Sequence, residues 1–186
     1  MGIFDYAMML AAIIIGLALT HLMQGIAGLI SGKVKVWWVH LLWVAFMLLT
    51  SVSWWWSEYL LRDLPALTFS IYVFVLTYAF GIYLASALLF PPDLTGKTYE
   101  DYFIANRNWF FGLQIGLDFI DLADSVLKGR AHVEALGTEY FVSTGAFIIL
   151  AIIGIVTPRR GIQAFIALTY FIYQITWLGR LFQRMQ

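Results

Sequence analysis

A succession of apolar runs, each long enough to cross a lipid bilayer, limits the folds that this chain can adopt. A spanning helix needs about 20 mainly apolar residues. Runs of this kind occupy residues 3–30, 37–62, 66–90, 108–128, 138–157 and 160–183. With 62% hydrophobic and 12% charged residues among 186, the chain has more apolar side chains than a soluble core of this size could bury. The sequence therefore predicts an all-α transmembrane bundle of about six spans, forming a single domain over residues 1–186.

Helix breakers and aromatic residues fall at the ends of these runs. Breakers occur at Gly32–Lys35, Arg62–Pro65, Pro91–Pro92 and Pro158–Arg160; proline in particular cannot continue a helix. Tryptophans at positions 37–38 and 54–56 are typical of the membrane–water interface. In the longest connection, residues 91–107, Thr98 followed by Asp101 predicts a cap for a helix that lies in the interface before the fourth span.

The charge balance and the lack of cysteine exclude several functions. The chain carries 11 basic and 11 acidic residues and no cysteine. Disulfides, thiolate metal sites and cysteine nucleophiles are therefore excluded, and a nucleic-acid partner would require a basic stripe. The expected partners are the lipid bilayer and further copies of the chain in a homo-oligomer. Because the N-terminus lacks the basic region of a signal peptide, we expect the first helix to be retained.

Short sequence segments that recur along the chain are consistent with an internal repeat. Ile15–Leu17 recurs at Ile115–Leu117, and Leu76–Tyr78 recurs at Leu168–Tyr170. Two three-helix halves, residues 1–90 and 98–186, would have opposite orientations because each contains an odd number of spans. The alternative is chance, since short matches are common in an apolar sequence.

The fourth predicted span carries an unusual set of polar residues. Five of them recur at three- and four-residue spacing, which places them on one helical face: Gln114, Asp118, Asp121, Ser125 and Lys128. Asp124 lies at the edge of this stripe. Ionisable groups at membrane depth are costly and usually functional. Two alternatives are a helix lying on the membrane surface and acids that are paired for structural reasons.

Other spans add polar residues that we expect to face the same interior. His40 and Glu58 are 18 residues apart, five helical turns, so they share a face of the second span; Glu58 could instead reach the headgroups or pair with Arg62. The first span contributes His21 and Gln24, and the sixth contributes a stripe of Gln163, Tyr170 and Gln174. On the sixth span, Arg180 is the predicted counter-charge for the acids of the fourth.

These residues favour a channel or transporter for protons or a small cation. Buried carboxylates replace part of an ion's hydration, and chains of Asp, Glu and His can pass protons. The predicted pathway comprises Asp118, Asp121, Asp124, Gln114, His21, Gln24, His40, Glu58 and Arg180.

Two other functions remain open at this point. A haem-binding redox protein could use His21 and His40 as axial ligands. A membrane-embedded lipid or isoprenoid enzyme could use Glu58 as an acid beside the rings of Trp54–Trp56, which would shelter a cation. The alternative for these tryptophans is an interfacial belt.

Three stretches of the sequence resemble small bacterial membrane proteins of no known activity. They are GLALTHLMQGIAGL, WWVHLLW and ANRNWFFGL. The resemblance implies a multi-pass protein of the bacterial inner membrane and implies no catalytic residue. An even number of spans puts both termini on one side, and the basic tight loops at 33–35 and 159–160 slightly favour termini outside.

Overall fold

A computed structural model of the protein describes residues 3–30, 35–64, 68–94 and 96–184. This part of the chain folds into an all-α bundle, as predicted. Its six helices are α1 (Ile3–Ile30), α2 (Trp38–Ser57), α3 (Phe69–Ala87), α4 (Tyr99–Leu127), α5 (Arg130–Val156) and α6 (Arg160–Arg184). A 3-10 helix, Glu58–Asp63, continues α2. Most of the predicted Gly32–Lys35 breaker, together with Pro65, lies outside the described residues.

Five of the helices are long and apolar enough to span a membrane. These segments are Phe4–Ile30, Trp38–Arg62, Phe69–Ala87, Arg130–Val156 and Arg160–Arg180. The remaining helix, α4, is also long enough at 29 residues, but it carries the acids and the lysine of the polar stripe. Hydropathy alone therefore identifies five spans, and the position of α4 has to be established from its contacts.

Those contacts show that α4 runs beside α2 from one end of the bundle to the other. Near its start, the ring of Tyr99 stacks on His40 at a centroid distance of 4.6 Å. At its end, Lys128 Nζ lies 3.0 Å from Glu58 Oε1, where α2 ends. The 29 residues of α4 extend about 43 Å at the usual helical rise. It therefore covers the same depth as the neighbouring spans.

The polarity of α4 is the reverse of that expected for a helix on the surface of a soluble protein. Its exposed side chains include Trp109, Phe119 and Val126, which are 72%, 59% and 65% exposed. Gln114 and Asp124 are buried. A helix that presents apolar side chains outward and polar ones inward suits a bundle surrounded by lipid. The alternative of a helix lying flat on the membrane surface is wrong in this fold.

Two details of α4 and α5 differ from the predicted boundaries. Thr98 caps α4 by accepting a hydrogen bond of 3.2 Å from the backbone N–H of Asp101. The predicted cap is therefore confirmed, but the helix continues without a break from the loop into the bundle. α5 begins at Arg130 and kinks at Gly137, so the straight part of the helix starts close to the predicted residue 138.

The two predicted repeat halves are not packed alike. α1 packs mainly against α3, whereas α4, its counterpart in the repeat, packs mainly against α5; α2 packs mainly against α6. The repeat therefore stays a prediction from the sequence.

The close packing of α4 against α5 generates a test of the fold. A Cβ atom added at Gly154 would lie 2.5 Å from the ring of the fully buried Phe111, whereas one added at Gly116 has nothing within 4 Å. We expect Gly154→Ala to lower the free energy of unfolding by about 1–3 kcal/mol through overpacking. Gly116→Ala should leave it unchanged or raise it, because alanine favours helix.

Thermal unfolding of both variants in detergent measures the difference. Equal effects of the two substitutions would contradict the packing of α4 on α5.

Candidate functional site

A buried ammonium group lies between two carboxylates at the end of the bundle where α2 and α4 finish. Lys128 Nζ lies 3.0 Å from Glu58 Oε1, contacts Asp124 Oδ2, and donates to Ser57 Oγ at 3.2 Å. The side chains of Lys128, Glu58 and Asp124 are each at most 3% exposed. Charges removed from water in this way are tolerated only when they are paired and hydrogen-bonded.

Local helix geometry explains how these three groups meet. Asp124 and Lys128 are four residues apart, which places them on the same face of α4. Glu58 is the first residue of the 3-10 helix that follows α2. In that helix Glu58 and Leu61 turn inward and are buried, while Tyr59 and Leu60 are exposed.

One helical turn further into the bundle, the carboxylate of Asp121 accepts hydrogen bonds from two tyrosines. The hydroxyl of Tyr78 on α3 donates to Oδ1 at 2.8 Å, and that of Tyr140 on α5 donates to Oδ2 at 2.5 Å. Ser125 Oγ in turn donates to Tyr140 at 3.0 Å. Asp121 thus links α4 to α3 and α5 through neutral hydroxyl donors.

Asp118 and Gln114 continue the polar stripe towards the middle of α4. The amide of Gln114 donates to Met47 Sδ at 3.3 Å on α2. Asp118 Oδ2 is buried and has no hydrogen-bond partner among the described residues, and the same is true of Glu58 Oε2 and Asp124 Oδ1. Asp118, Glu58 and Asp124 therefore each keep one oxygen to which no group in the described part of the chain donates a hydrogen bond.

The four carboxyl groups and Lys128 form what we call the polar cluster: Glu58, Asp118, Asp121, Asp124 and Lys128. Within the described part of the chain, Lys128 is the one basic residue that pairs with any of these acids. If every carboxyl group were ionised, the cluster would carry three negative charges in excess of its single positive charge. Such an excess is costly in a low-dielectric interior, so the cluster favours binding of protons or another cation.

On the other side of Asp118, packed aromatic rings fill the bundle. Phe110 and Phe111 lie about two turns from Asp118 on α4, and the ring of Trp43 on α2 lies 4.9 Å and 5.6 Å from theirs. Tyr170 on α6 completes the group at 5.2 Å from Trp43. We call these four residues the aromatic layer. It separates the polar cluster from the opposite end of the bundle.

Both predicted histidines lie at that opposite end, away from the acids. His21 Nε2 hydrogen-bonds to the carbonyl of Phe90 at 2.9 Å, and His40 Nε2 to that of Leu89 at 2.7 Å. Because Pro91 follows, the carbonyls at the end of α3 lack the usual helical donors. The two imidazoles therefore hold this turn in place at the end of the bundle away from the acids, and their membership of one pathway with those acids stays a prediction.

Two further predicted pathway residues are also placed elsewhere. Gln24 is exposed on α1, because α1 packs through the face that includes Ala11, Ala18 and Leu22. Arg180 lies 2.6 Å from Glu139 Oε1 at the surface, so its predicted role as counter-charge for α4 is wrong. Lys128 takes that role, since it lies on the same helix as the acids.

The three tryptophans near Glu58 differ in exposure: Trp54 is buried, whereas Trp55 and Trp56 are exposed. Trp54 packs against Tyr78 at 5.3 Å, while Trp55 and Trp56 line an apolar groove of about 350 Å³ between α1 and α2. Glu58 faces Lys128 and does not pair with Arg62, which donates to Tyr59 at 3.4 Å. This arrangement does not favour an acid poised beside the rings for isoprenoid chemistry. No group of three or more His, Asp or Glu residues able to hold a metal occurs among residues 3–30, 35–64, 68–94 and 96–184.

Comparisons with protein-family models, curated proteins and solved structures find no match. Inference about function therefore depends on the geometry of the polar cluster.

Loss of Lys128 should destabilise the fold, because it would leave Glu58 and Asp124 buried without their cation. We expect Lys128→Met to lower the free energy of unfolding by about 3–5 kcal/mol. Adding Glu58→Gln should restore part of the loss, since one of the two uncompensated charges is removed.

Arg130→Met is the matched control, because the Arg130–Glu134 pair is exposed and such pairs contribute little. Thermal unfolding in lipid nanodiscs compares the variants. A Lys128→Met protein as stable as Arg130→Met would contradict the buried ion pair.

Proposed function

We propose that the protein is a transporter or channel that moves protons, or another small cation, through the polar cluster. The proposal is based on an excess of acidic groups: four buried or half-buried carboxyl groups share one ammonium group. Because the fold retains this excess of acid where lipid surrounds it, we infer that a positively charged species is bound and released there.

The contacts within the cluster favour protons. Every direct hydrogen bond to its acids comes from a group whose own proton is exchangeable: the amine of Lys128 and the hydroxyls of Tyr78 and Tyr140. Among the described residues these bonds form two groups, one around Lys128 and one around Asp121, with no hydrogen bond between them. A proton would move within each group by small rearrangements of hydrogen bonds, and a side-chain movement or a water molecule would carry it between them. Asp118 extends the chain of acids to the edge of the aromatic layer.

The aromatic layer favours a gated pathway. Trp43, Phe110 and Phe111 are all almost completely buried and leave little room for a hydrated ion. For transport to continue past Asp118, these rings would have to move or a transient water chain would have to pass between them. We therefore propose that the transported cation enters the polar cluster from the cluster's own end of the bundle. The aromatic layer then limits release of the cation at the other end.

We also propose that the membrane is the bacterial inner membrane, that both termini lie outside, and that the chain forms homo-oligomers. The resemblance to small bacterial membrane proteins supports the first of these proposals. Phe4 near the start of α1 lies beside Tyr59, and Arg180 near the end of α6 contacts Glu139. The start of α1 and the end of α6 therefore lie on the side of the cluster. With the termini outside, the cluster would load from outside the cell.

Flux measurements on proteoliposomes test the proposal. With a pH-sensitive dye inside the vesicles, we expect the purified full chain to carry protons down an imposed gradient. Asp118→Asn and Asp121→Asn should each reduce the rate by about tenfold or more, because amides cannot exchange the proton in the same way. Repeating the assay with external Na⁺, K⁺ or choline separates proton movement from that of a metal cation.

Glu139→Gln is the matched control, because it removes an acid on the same side of the bundle but outside the cluster. Its flux should match that of the unmodified chain. Flux that is unchanged in both aspartate variants, or absent from the unmodified protein, would refute the proposed function.

A further inference from the structure

The segment between α4 and the straight part of α5 is bounded by two glycines with unusual backbone conformations. Gly129 has φ 99° and ψ 167°, and Gly137 has φ 72° and ψ 179°. This region of φ and ψ is essentially restricted to glycine. The intervening residues 130–136 form about two helical turns. The chain can therefore change direction at both ends of a short, rigid piece.

This segment buries little of its surface. None of residues 130–139 is buried, and Tyr140 is the first buried residue of α5. Arg130 and Glu134 pair with each other, with side chains that are 92% and 64% exposed. A segment with little buried surface opens at a low free-energy cost compared with the core.

The same segment is joined directly to the polar cluster at both ends. Lys128 precedes Gly129, and Tyr140, which donates to Asp121, follows Gly137. Between them, the half-buried His132 lies four residues after Lys128 and eight residues before Tyr140. Lys128 also contacts Glu58 of the 3-10 helix and Asp124 of α4. Histidine is the side chain best suited to gain and lose a proton near neutral pH.

We propose that residues 130–136 form a hinged cover over the polar cluster, and that His132 passes protons between the cluster and the water on that side. This inference rests on the proposed function and adds to it the route by which protons reach the buried acids. Opening at the two glycines would expose Lys128 and its carboxylates, while closure brings His132 back towards them.

Proton flux through proteoliposomes containing His132→Gln tests the role of the histidine. We expect the rate to fall by at least about fivefold relative to the unmodified chain, because glutamine cannot carry the proton. Imidazole added to the bath should restore most of the rate, since a small buffer can replace the missing side chain. Glu134→Gln, on the same segment, should leave the rate within about twofold of the unmodified chain.

The outcomes separate this inference from the proposed function. An unchanged rate in His132→Gln, with Asp118→Asn still impaired, would overturn the inference and leave the proposed function standing. A reduced rate that imidazole does not restore would assign His132 a structural role and also overturn it. Absence of flux from the unmodified chain would overturn both.

Substitution of a hinge glycine tests the movement. We expect Gly137→Ala to slow the flux severalfold, because alanine is strained at this φ and should hold the segment in a different position. Gly145→Ala, further along α5 with open space around it, should leave the rate unchanged. Equal rates in the two variants, both folded by circular dichroism, would overturn the hinge.

Discussion

Lys128 and the carboxylates it contacts determine much of the arrangement of this bundle. In a lipid bilayer no water is available for a charged side chain, so each one needs partners within the protein. α4 carries most of these groups, and it meets the need by turning them inward and presenting Trp109, Phe119 and Val126 outward. The 3-10 helix after α2 then supplies Glu58, α3 supplies Tyr78 and α5 supplies Tyr140. The polar contacts thus specify which helices lie next to α4.

This arrangement costs more than an apolar core would. Apolar packing of similar volume is often as stabilising as a buried ion pair, or more so. Elsewhere in the bundle, the aromatic layer around Trp43 packs without charged side chains. Along α4, the aromatic layer on the N-terminal side of Asp118 is therefore followed by the polar cluster towards the C-terminal end. We attribute the polar cluster to function, because the aromatic layer shows how the same helices can pack without it.

The sequence predicted the helices better than it predicted their contacts. The apolar runs, the breakers and the Thr98 cap depend on local properties, and the structure agrees with them wherever it describes them, except that α4 and α5 begin earlier than the apolar runs predict. The stripe on α4 was also predictable from its spacing. Lys128 belonged to that stripe, and its position four residues after Asp124 was a signal that it, and not Arg180, would be the counter-charge.

Other parts of the site depend on contacts between distant segments, which a single sequence does not reveal. Tyr78 and Tyr140 lie 43 and 19 residues from Asp121, and nothing in their local sequence marks them as its donors. The histidines were assigned to the pathway by their chemistry, yet they bind the end of α3 at the opposite end of the bundle. Gln24 was assigned as one of the polar residues of the first span, whereas the face of α1 that packs inward is marked by its small and apolar residues.

The central claim is that carboxyl groups of the polar cluster take up and release protons inside the bundle. Infrared difference spectroscopy of the reconstituted protein, recorded while the bath pH is changed, observes this step directly. The account predicts a protonated carboxyl C=O band that titrates, shifts in D₂O and is reduced in Asp118→Asn or Asp124→Asn but not in Glu139→Gln. A spectrum with no titrating carboxyl band, or with one that only Glu139→Gln removes, would contradict it.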